Sequence, residues 1–306
     1  MKAAIHPIVP GVSLIELRPP IVGFDAFIGA WLYRGEATCL VDVGPAVTAP
    51  DLLTALAELD VGYLDAIYLT HIHIDHAGAI GQVAEAFPET PIIVHAKGIA
   101  HLVDPTRLWE GTLKTLAATA RAYGPFKPVP ETRFIAADGE IPGPLAALAT
   151  PGHAPHHISY LGEAGLFVGE AGGVRLPLPQ GRTYMRPATP PRFIRDTFLT
   201  SLAAVEALQP KRLFYGHFGV TDEAAWLSRH AEQIHLWMTV VARVWKRAGK
   251  DAGGATAERC LARLLIEDDH LKGFQCLDSQ TQNRERGFLL NSIRGMLGEL
   301  VARKST

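Results

Sequence analysis

The chain is poor in cysteine. Only three occur in 306 residues, Cys39, Cys260 and Cys276, far apart and without a CxxC pair. That spacing argues against a disulfide framework and a cysteine zinc site, and leaves buried reduced thiols as the expectation. Charge of one sign is scarce too. A formal net charge of −2 gives no general attraction to nucleic acid or to an anionic membrane, so neither is expected as a partner. No uninterrupted apolar run is long enough for a transmembrane helix. Pro7 and Pro10 interrupt the short apolar stretch at the N-terminus, which lacks the build of a signal peptide. A cytoplasmic protein is the expectation from these absences. Internal repeats and low-complexity tracts are also missing. A hydrophobic content of 48% with 20% charged residues suits one large domain, or one domain with an extension, around a substantial core.

What the chain does have is Thr70-His71-Ile72-His73-Ile74-Asp75-His76, three histidines and an aspartate in one short run. The apolar stretch Ala66-Ile67-Tyr68-Leu69 before it reads as a buried strand, and the apolar-periodic segment 77–87 after it reads as a helix. The cluster therefore falls at the carboxyl end of a strand, the edge of an α/β sheet where ligands usually bind. Neutral imidazole and carboxylate suit zinc, iron or manganese. In an extended loop His71, His73 and Asp75 alternate to one side while His76 points elsewhere, so one run can serve two metals. Asp75 is also a plausible N-cap for the helix after it.

Periodicity and turn residues predict strands over 12–17, 24–33, 39–43, 91–96, 133–137, 145–149, 166–169 and 213–217. Helices are predicted over 51–59, 108–123 and 193–208. Their alternation with the strands predicts an α/β layered core. Residues 174–192, rich in proline and arginine, read as a stiff loop. Whether residues 105–128 form a lid is open on sequence alone. After residue 220 the pattern turns all-helical: a helix capped by Thr221 and running to about Lys246, a second over 257–266, and a third over 284–301 behind a capping-box spacing at Ser279-Gln280-Thr281-Gln282. The division expected is 1–221 and 222–306. The apolar stripes of the second part suit core packing, with a lid or a homodimer contact as the other roles open to it. Asp268-Asp269-His270 reads as a solvated loop, and His95 and His101 as satisfied core or surface histidines.

THIHIDH resembles the HxHxDH signature of the metallo-β-lactamase superfamily, and the resemblance extends from about residue 12 to 220. Its nearest style is the branch that includes glyoxalase II. Thr150-Pro151-Gly152-His153-Ala154-Pro155-His156-His157-Ile158-Ser159-Tyr160 is similar to that branch's TPGHTxGHxSY stretch, with His156 where the family often has glycine. Leu166-Phe167-Val168-Gly169-Glu170 resembles the strand ending in Gly-Asp, with Glu170 in place of the bridging aspartate and no Asp anywhere from Gly139 to Arg195. The resemblance implies a four-layer αββα sandwich with a C-terminal helical extension. It implies His71, His73 and His153 on a first metal and Asp75, His76 and His217 on a second, with Glu170 between them. Asp42 and His157 would support these residues without binding metal.

The activity implied is that of a metallo-hydrolase with a dinuclear site, zinc before iron or manganese, attacking an ester-like bond (thioester, lactone or ester) of a small molecule with metal-bound hydroxide. Asp75 would take part in catalysis. Tyr184 is expected to donate to the oxyanion, and Arg182 or Arg186 to receive a substrate carboxylate or phosphate. The alternatives are a mononuclear iron dioxygenase of the persulfide dioxygenase type, a phosphodiesterase, and a binding protein without catalysis.

Overall fold

The computed structural model describes residues 3–304. Strands β1 (Ala4–Val9), β2 (Val12–Leu17), β3 (Ile28–Arg34), β4 (Thr38–Val41), β5 (Ala66–Tyr68), β6 (Ile92–Val94) and β7 (Phe134–Ala136) lie side by side in chain order in one sheet. β1 to β4 run antiparallel, and β4 to β7 run parallel. Parallel neighbours need crossovers, and helices supply them. α1 (Ala49–Glu58) joins β4 to β5, and α2 (Ile74–Ala77) with α3 (Ile80–Ala86) joins β5 to β6. The passage from β6 to β7 takes α4 (Ala96–Val103), α5 (Thr106–Leu116) and α6 (Ala118–Tyr123).

A second sheet is built from β8 (Ala146–Ala149), β9 (Ile158–Gly162) and β10 (Gly165–Gly169). A hairpin of β11 (Val174–Pro177) and β12 (Thr183–Arg186) and the helix α7 (Arg195–Ala207) then lead back to β13 (Leu213–Tyr215) and β14 (Val220–Thr221), and the sheet order is β14-β13-β10-β9-β8. Side-chain alternation assigns the faces. Trp31, Val41, Tyr68, Tyr160, Phe167 and Phe214 belong to a core between the two sheets. Leu32, Leu40, Ile67, Leu166 and Val168, one residue out of step, belong to the larger core under the helices. Strands buried on both faces explain why these segments read as continuous apolar runs. The Trp31 indole N–H donates to the Tyr215 carbonyl at 2.9 Å and ties the sheets together. The result is two sheets face to face with helices outside, the layered α/β arrangement expected.

α8 (Trp226–Arg247), α9 (Gly254–Glu267) and α10 (Ser279–Lys304) close the chain. Their apolar residues, among them Trp237, Val241, Leu289, Ile293 and Met296, join the same core cluster as Phe24, Tyr123 and Tyr184. Among the described residues no helix is long and apolar enough to cross a membrane.

Several local expectations are corrected. Residues 174–192 are not a loop throughout, because 174–177 pairs with 183–186 in antiparallel register. Their prolines fall at the end of β11, in its turn or beyond β12, where no ladder N–H is needed. β1 and β9 were not anticipated. The predicted strand over 24–33 begins only at Ile28, and Phe24 and Phe27 turn instead towards Phe288 of α10. The helix over 77–87 breaks at Gly78, where a Cβ would lie 2.9 Å from the Pro45 backbone. The helix over 108–123 breaks at Ala117, whose φ is 48°. His73 rather than Asp75 holds the N-cap position of α2. Thr221 lies in β14, ahead of the helix it was expected to cap. Asp278 rather than Ser279 accepts from the N–H groups of Gln280 and Thr281 at 2.9 and 3.0 Å. Asp268 is buried and accepts from Trp237 and Gln233 at 2.6 and 2.8 Å, so it belongs to the core and not to a solvated loop. Cys39 and Cys260 are buried as expected, but Cys276 is exposed.

Candidate metal centre

The carboxyl ends of parallel strands from both sheets meet at one point. Asp42 follows β4 and the 70–76 loop follows β5. His153 follows β8, Glu170 follows β10 and His217 follows β13. The Ile158 N–H donates to the Thr70 carbonyl at 2.7 Å, joining the loop of one sheet to the second.

Two groups of side chains converge there. His71, His73, His153 and Glu170 offer ligand atoms within 4.8 Å of one another, and so do Asp75, His76 and His217. Glu170 belongs to both surroundings. Its Oε2 lies 2.8 Å from His153 Nε2, 3.4 Å from His71 Nε2 and 3.6 Å from His76 Nε2, while Oε1 lies 3.1 Å from His217 Nε2. The glutamate thus spans the space between the two groups. Asp75 Oδ2 is 3.8 Å from His217 Nε2.

The outward nitrogens fix what the inward ones can do. The Thr70 hydroxyl donates to Asp42, so it can only accept from His71 Nδ1, at 3.0 Å. His71 Nε2 is then a lone pair, buried and without a partner. His76 Nδ1 donates to Asp42 Oδ2 at 2.8 Å, and its Nε2 is likewise buried and unpartnered. His153 Nδ1 donates to the Ala188 carbonyl at 3.0 Å, which leaves its Nε2 facing His73 Nδ1 at 2.9 Å. His157 accepts from the Glu170 N–H through Nε2 at 3.0 Å and donates to Thr150 through Nδ1 at 2.8 Å. It therefore positions Glu170 and has no nitrogen left for a ligand. Phe27 stacks on His217 with ring centroids 4.1 Å apart.

Buried lone pairs without hydrogen-bond donors are costly, and a cation satisfies several at once. Five imidazoles and two carboxylates suit divalent zinc, iron or manganese, so the residues present fit such ions. The electrostatics agree. Burial, with His76 and His73 alongside, pushes His71 far below the ordinary imidazole range; burial and His153 do the same to His73. Burial works against charge on His76, but Asp42 outweighs it and raises its pKa to about 9, the basic character that a carboxylate partner gives a ligand imidazole. Burial would raise Glu170, yet His153 and His217 hold its carboxyl well below the usual range.

Other expected residues lie elsewhere. Tyr184 is fully buried in β12, packed against Phe274, and does not line the cavity over the histidines. Arg186, two residues on along β12, is the residue of that strand that reaches the cavity edge. Arg182 is exposed and donates to Cys276 Sγ at 3.0 Å, away from the site. His156 is pushed down to about 4 by burial and by His153; its Nδ1 has no partner, and it belongs to neither ligand group. His95 accepts from the Lys97 N–H at the start of α4, the satisfied role expected. His101, expected to be only a satisfied histidine, lines the cavity.

That cavity, about 420 Å³, opens above the histidines. One wall is α5, through Arg107, Leu108, Thr112 and Leu116, and the other is α10, through Phe288, Asn291 and Ser292. Sequence reasoning did not assign these wall residues, nor Phe27 and the Ala188 carbonyl. Thr70 was the exception in reach, since a hydroxyl next to a ligand histidine is a ready partner for its second nitrogen.

Fold and cluster together give a hydrolase-type fold with a candidate metal-binding cluster, and the chain belongs to the metallo-β-lactamase superfamily, whose family pattern matches residues 27–217. It is 27% identical over 234 residues to the metallo-β-lactamase fold-containing protein ST1585 of Sulfurisphaera tokodaii, covering 73% of this chain and 84% of that one. The ST1585 structure superposes with a TM-score of 0.67 at 23% identity over 92% of this chain and 97% of that chain. TTHA1429 of Thermus thermophilus, a family member at 18% identity, superposes with a TM-score of 0.64 over 97% and 95% of the two chains. A hydroxyacylglutathione hydrolase of Aeromonas hydrophila is 31% identical over 153 residues, 49% of this chain and 50% of that enzyme.

Proposed function

We propose that this protein is a metal-dependent hydrolase of an ester-like bond (thioester, lactone or simple ester) in a small molecule, working with two divalent cations, zinc foremost. The observation that carries this reading is the convergence of five histidines, with the Nε2 lone pairs of His71, His76 and His153 turned inward and Glu170 spanning both groups, at the floor of a small-molecule cavity. Similarity to hydroxyacylglutathione hydrolases supports an acyl bond as the target.

Bound at these residues, two cations would supply an activated water and Lewis-acid polarisation of the scissile carbonyl. The chain does the rest. His71, His73 and His153 make one seat and Asp75, His76 and His217 the other, with Glu170 shared. Asp75 Oδ2 sits on the cavity floor beside His217 and is placed to take the proton of the attacking water and return it to the leaving group. Asp42 and Thr70 hold His76 and His71 in the tautomers that present Nε2. α5 and α10 restrict water at the reacting centre.

The test is metal content of the purified protein by mass spectrometry, followed by thioester, lactone, β-lactam and phosphodiester substrates. Two metals per chain with ester-type turnover is the expected result. One iron per chain with oxygen consumption would establish the dioxygenase instead, and turnover of phosphodiesters alone would replace the ester reading.

A further inference from the structure

The strongest unexplained feature of the cavity is the guanidinium of Arg186. It is 2% exposed and lines the same cavity as Glu170 and His217. Its Nε donates to Glu285 Oε2 at 2.5 Å, and its Nη1 reaches the Pro187 carbonyl at 3.4 Å. Its Nη2 is buried and has no partner. Glu285, fully buried on α10, also accepts from Arg284 Nε at 2.9 Å, and Arg284 donates in turn to the Gly23 carbonyl at 2.6 Å.

Two guanidiniums against one carboxylate leave this buried cluster with one excess positive charge. An uncompensated buried charge is costly, so an anion is favoured at its free edge. Asp75 and Glu170 share the cavity, but in the proposed hydrolase their charge is taken up by cations. At the Arg186 cluster itself one positive charge and one free N–H edge remain, which match a monoanion accepting through one oxygen. A phosphate dianion would bring twice the charge to a single free nitrogen. The remaining walls are largely apolar, with Leu108 and Leu116 of α5, Ala188 and Pro190 after β12, and Phe288 of α10, whose ring centroid lies 4.6 Å from the Arg186 guanidinium carbon. A volume of about 420 Å³ falls low in the range of small-molecule pockets, roughly 300–1,000 Å³.

From these observations we infer that the substrate is a small acyl ester or thioester with a compact apolar arm and a carboxylate of its own, and that Arg186 Nη2 receives that carboxylate. The hydrolytic part of this inference rests on the function proposed above; the carboxylate seat rests on Arg186 and its neighbours alone. Glu285 is a positioning residue, because it acts by turning the guanidinium edge rather than by touching substrate.

A matched pair of substrates tests it: 4-nitrophenyl hexanoate and mono-4-nitrophenyl adipate, equal in acyl length but differing in a terminal carboxylate. The metal-loaded protein is expected to favour the adipate half-ester at least tenfold in kcat/KM, mainly through KM. Arg186→Met leaves Glu285 paired with Arg284, so the pair stays neutral. It should erase the preference between the two esters. Arg186→Lys should retain part of the preference. Equal KM values for the two esters in the unmodified protein, or a preference that survives Arg186→Met, overturns the inference and leaves the hydrolase reading intact. If neither ester is cleaved, calorimetric titration decides. Hexanoate binding at least tenfold more tightly than hexanamide and than hexyl phosphate, with the difference lost in Arg186→Met, upholds the carboxylate seat without the hydrolase. Equal affinities, or a tighter phosphate, overturn it. Should Arg186→Met fail to fold, the comparison of ligands in the unmodified protein and in Arg186→Lys decides in the same way.

Discussion

The floor and the walls of the cavity are built on different principles. The floor is polar and tightly hydrogen-bonded: each candidate-ligand histidine with an assigned tautomer is turned by a named partner, Thr70 for His71, Asp42 for His76 and the Ala188 carbonyl for His153. The walls are helices held by apolar contact, and they differ from each other. α10 buries Leu289, Ile293 and Met296 in the main core, whereas α5 has no buried residue at all. One wall is therefore part of the fold, and the other rests on it. The candidate ligands belong to the floor, and α5, with no buried residue, is the element with the least to lose on moving.

The sharpest way to break this contrast is to remove a floor residue. His153→Ala should cost more than the roughly 10–100-fold that loss of an orienting partner costs a metal site, on the order of a thousandfold in turnover, with the melting temperature nearly kept. Metal analysis and kinetics check it, and wild-type metal content in the variant would remove His153 from the ligand set. A wall residue of α10 should do the opposite. Leu289→Ala opens a cavity in the core and should destabilise by about 2–5 kcal/mol in urea titration, with metal per folded chain unchanged. Little loss of stability there would mean that α10 is not integral to the core.

A third test uses the helical region alone. Burial depresses His230 of α8 from its ordinary 6.5 to about 4. Between these values the unfolded chain binds the proton and the folded chain does not, so stability falls as pH drops from 6.5 towards 4 and gains nothing above 6.5. The contribution is roughly 3 kcal/mol across that window. Denaturant titrations at pH 7 and 4.5 should show a smaller acid loss in His230→Gln, and an unchanged slope would show that His230 is not the group responsible. Asp42→Asn comes next. It keeps the shape but weakens the acceptor for His76, so metal affinity should fall roughly 10–100-fold, measured by competition with a chelator. Unaltered affinity would detach Asp42 from the site. The smallest effect is expected on α5. Leu108→Ala should change stability by no more than about 0.5 kcal/mol, since the residue is only half-buried, yet raise KM for substrates with an apolar arm. A large stability loss would make α5 as integral as α10.

The site was legible in the sequence to an unequal degree. His71, His73, Asp75 and His76 are close in the chain, and the types and spacing that metal binding requires leave a local signal. His153, Glu170 and His217 each stand in a short motif at the end of a strand, and the fold brings them to the expected place. Asp42 and His157 were anticipated as supports; Asp42 accepts from His76 and His157 accepts from the Glu170 N–H. Tyr184 and Arg182 went astray because the proline and arginine content of 174–192 reads as a loop. The stretch is instead a hairpin, 174–177 paired with 183–186, and which of its side chains meets the cavity depends on long-range packing that Pro and Arg content does not encode.

Local chemistry, then, was determined by the sequence alone: the layered α/β order from its periodicities, and the candidate ligands from residue types that the bonding geometry of a metal demands. Tertiary structure decided what surrounds them. Phe27 reaches His217 by stacking, and Glu285 reaches Arg186 across 99 residues of chain. Such contacts depend on how apolar faces pack at long range. Each partner is an ordinary Phe, Glu or Arg in its own segment, so only the packed fold could reveal which of them meet.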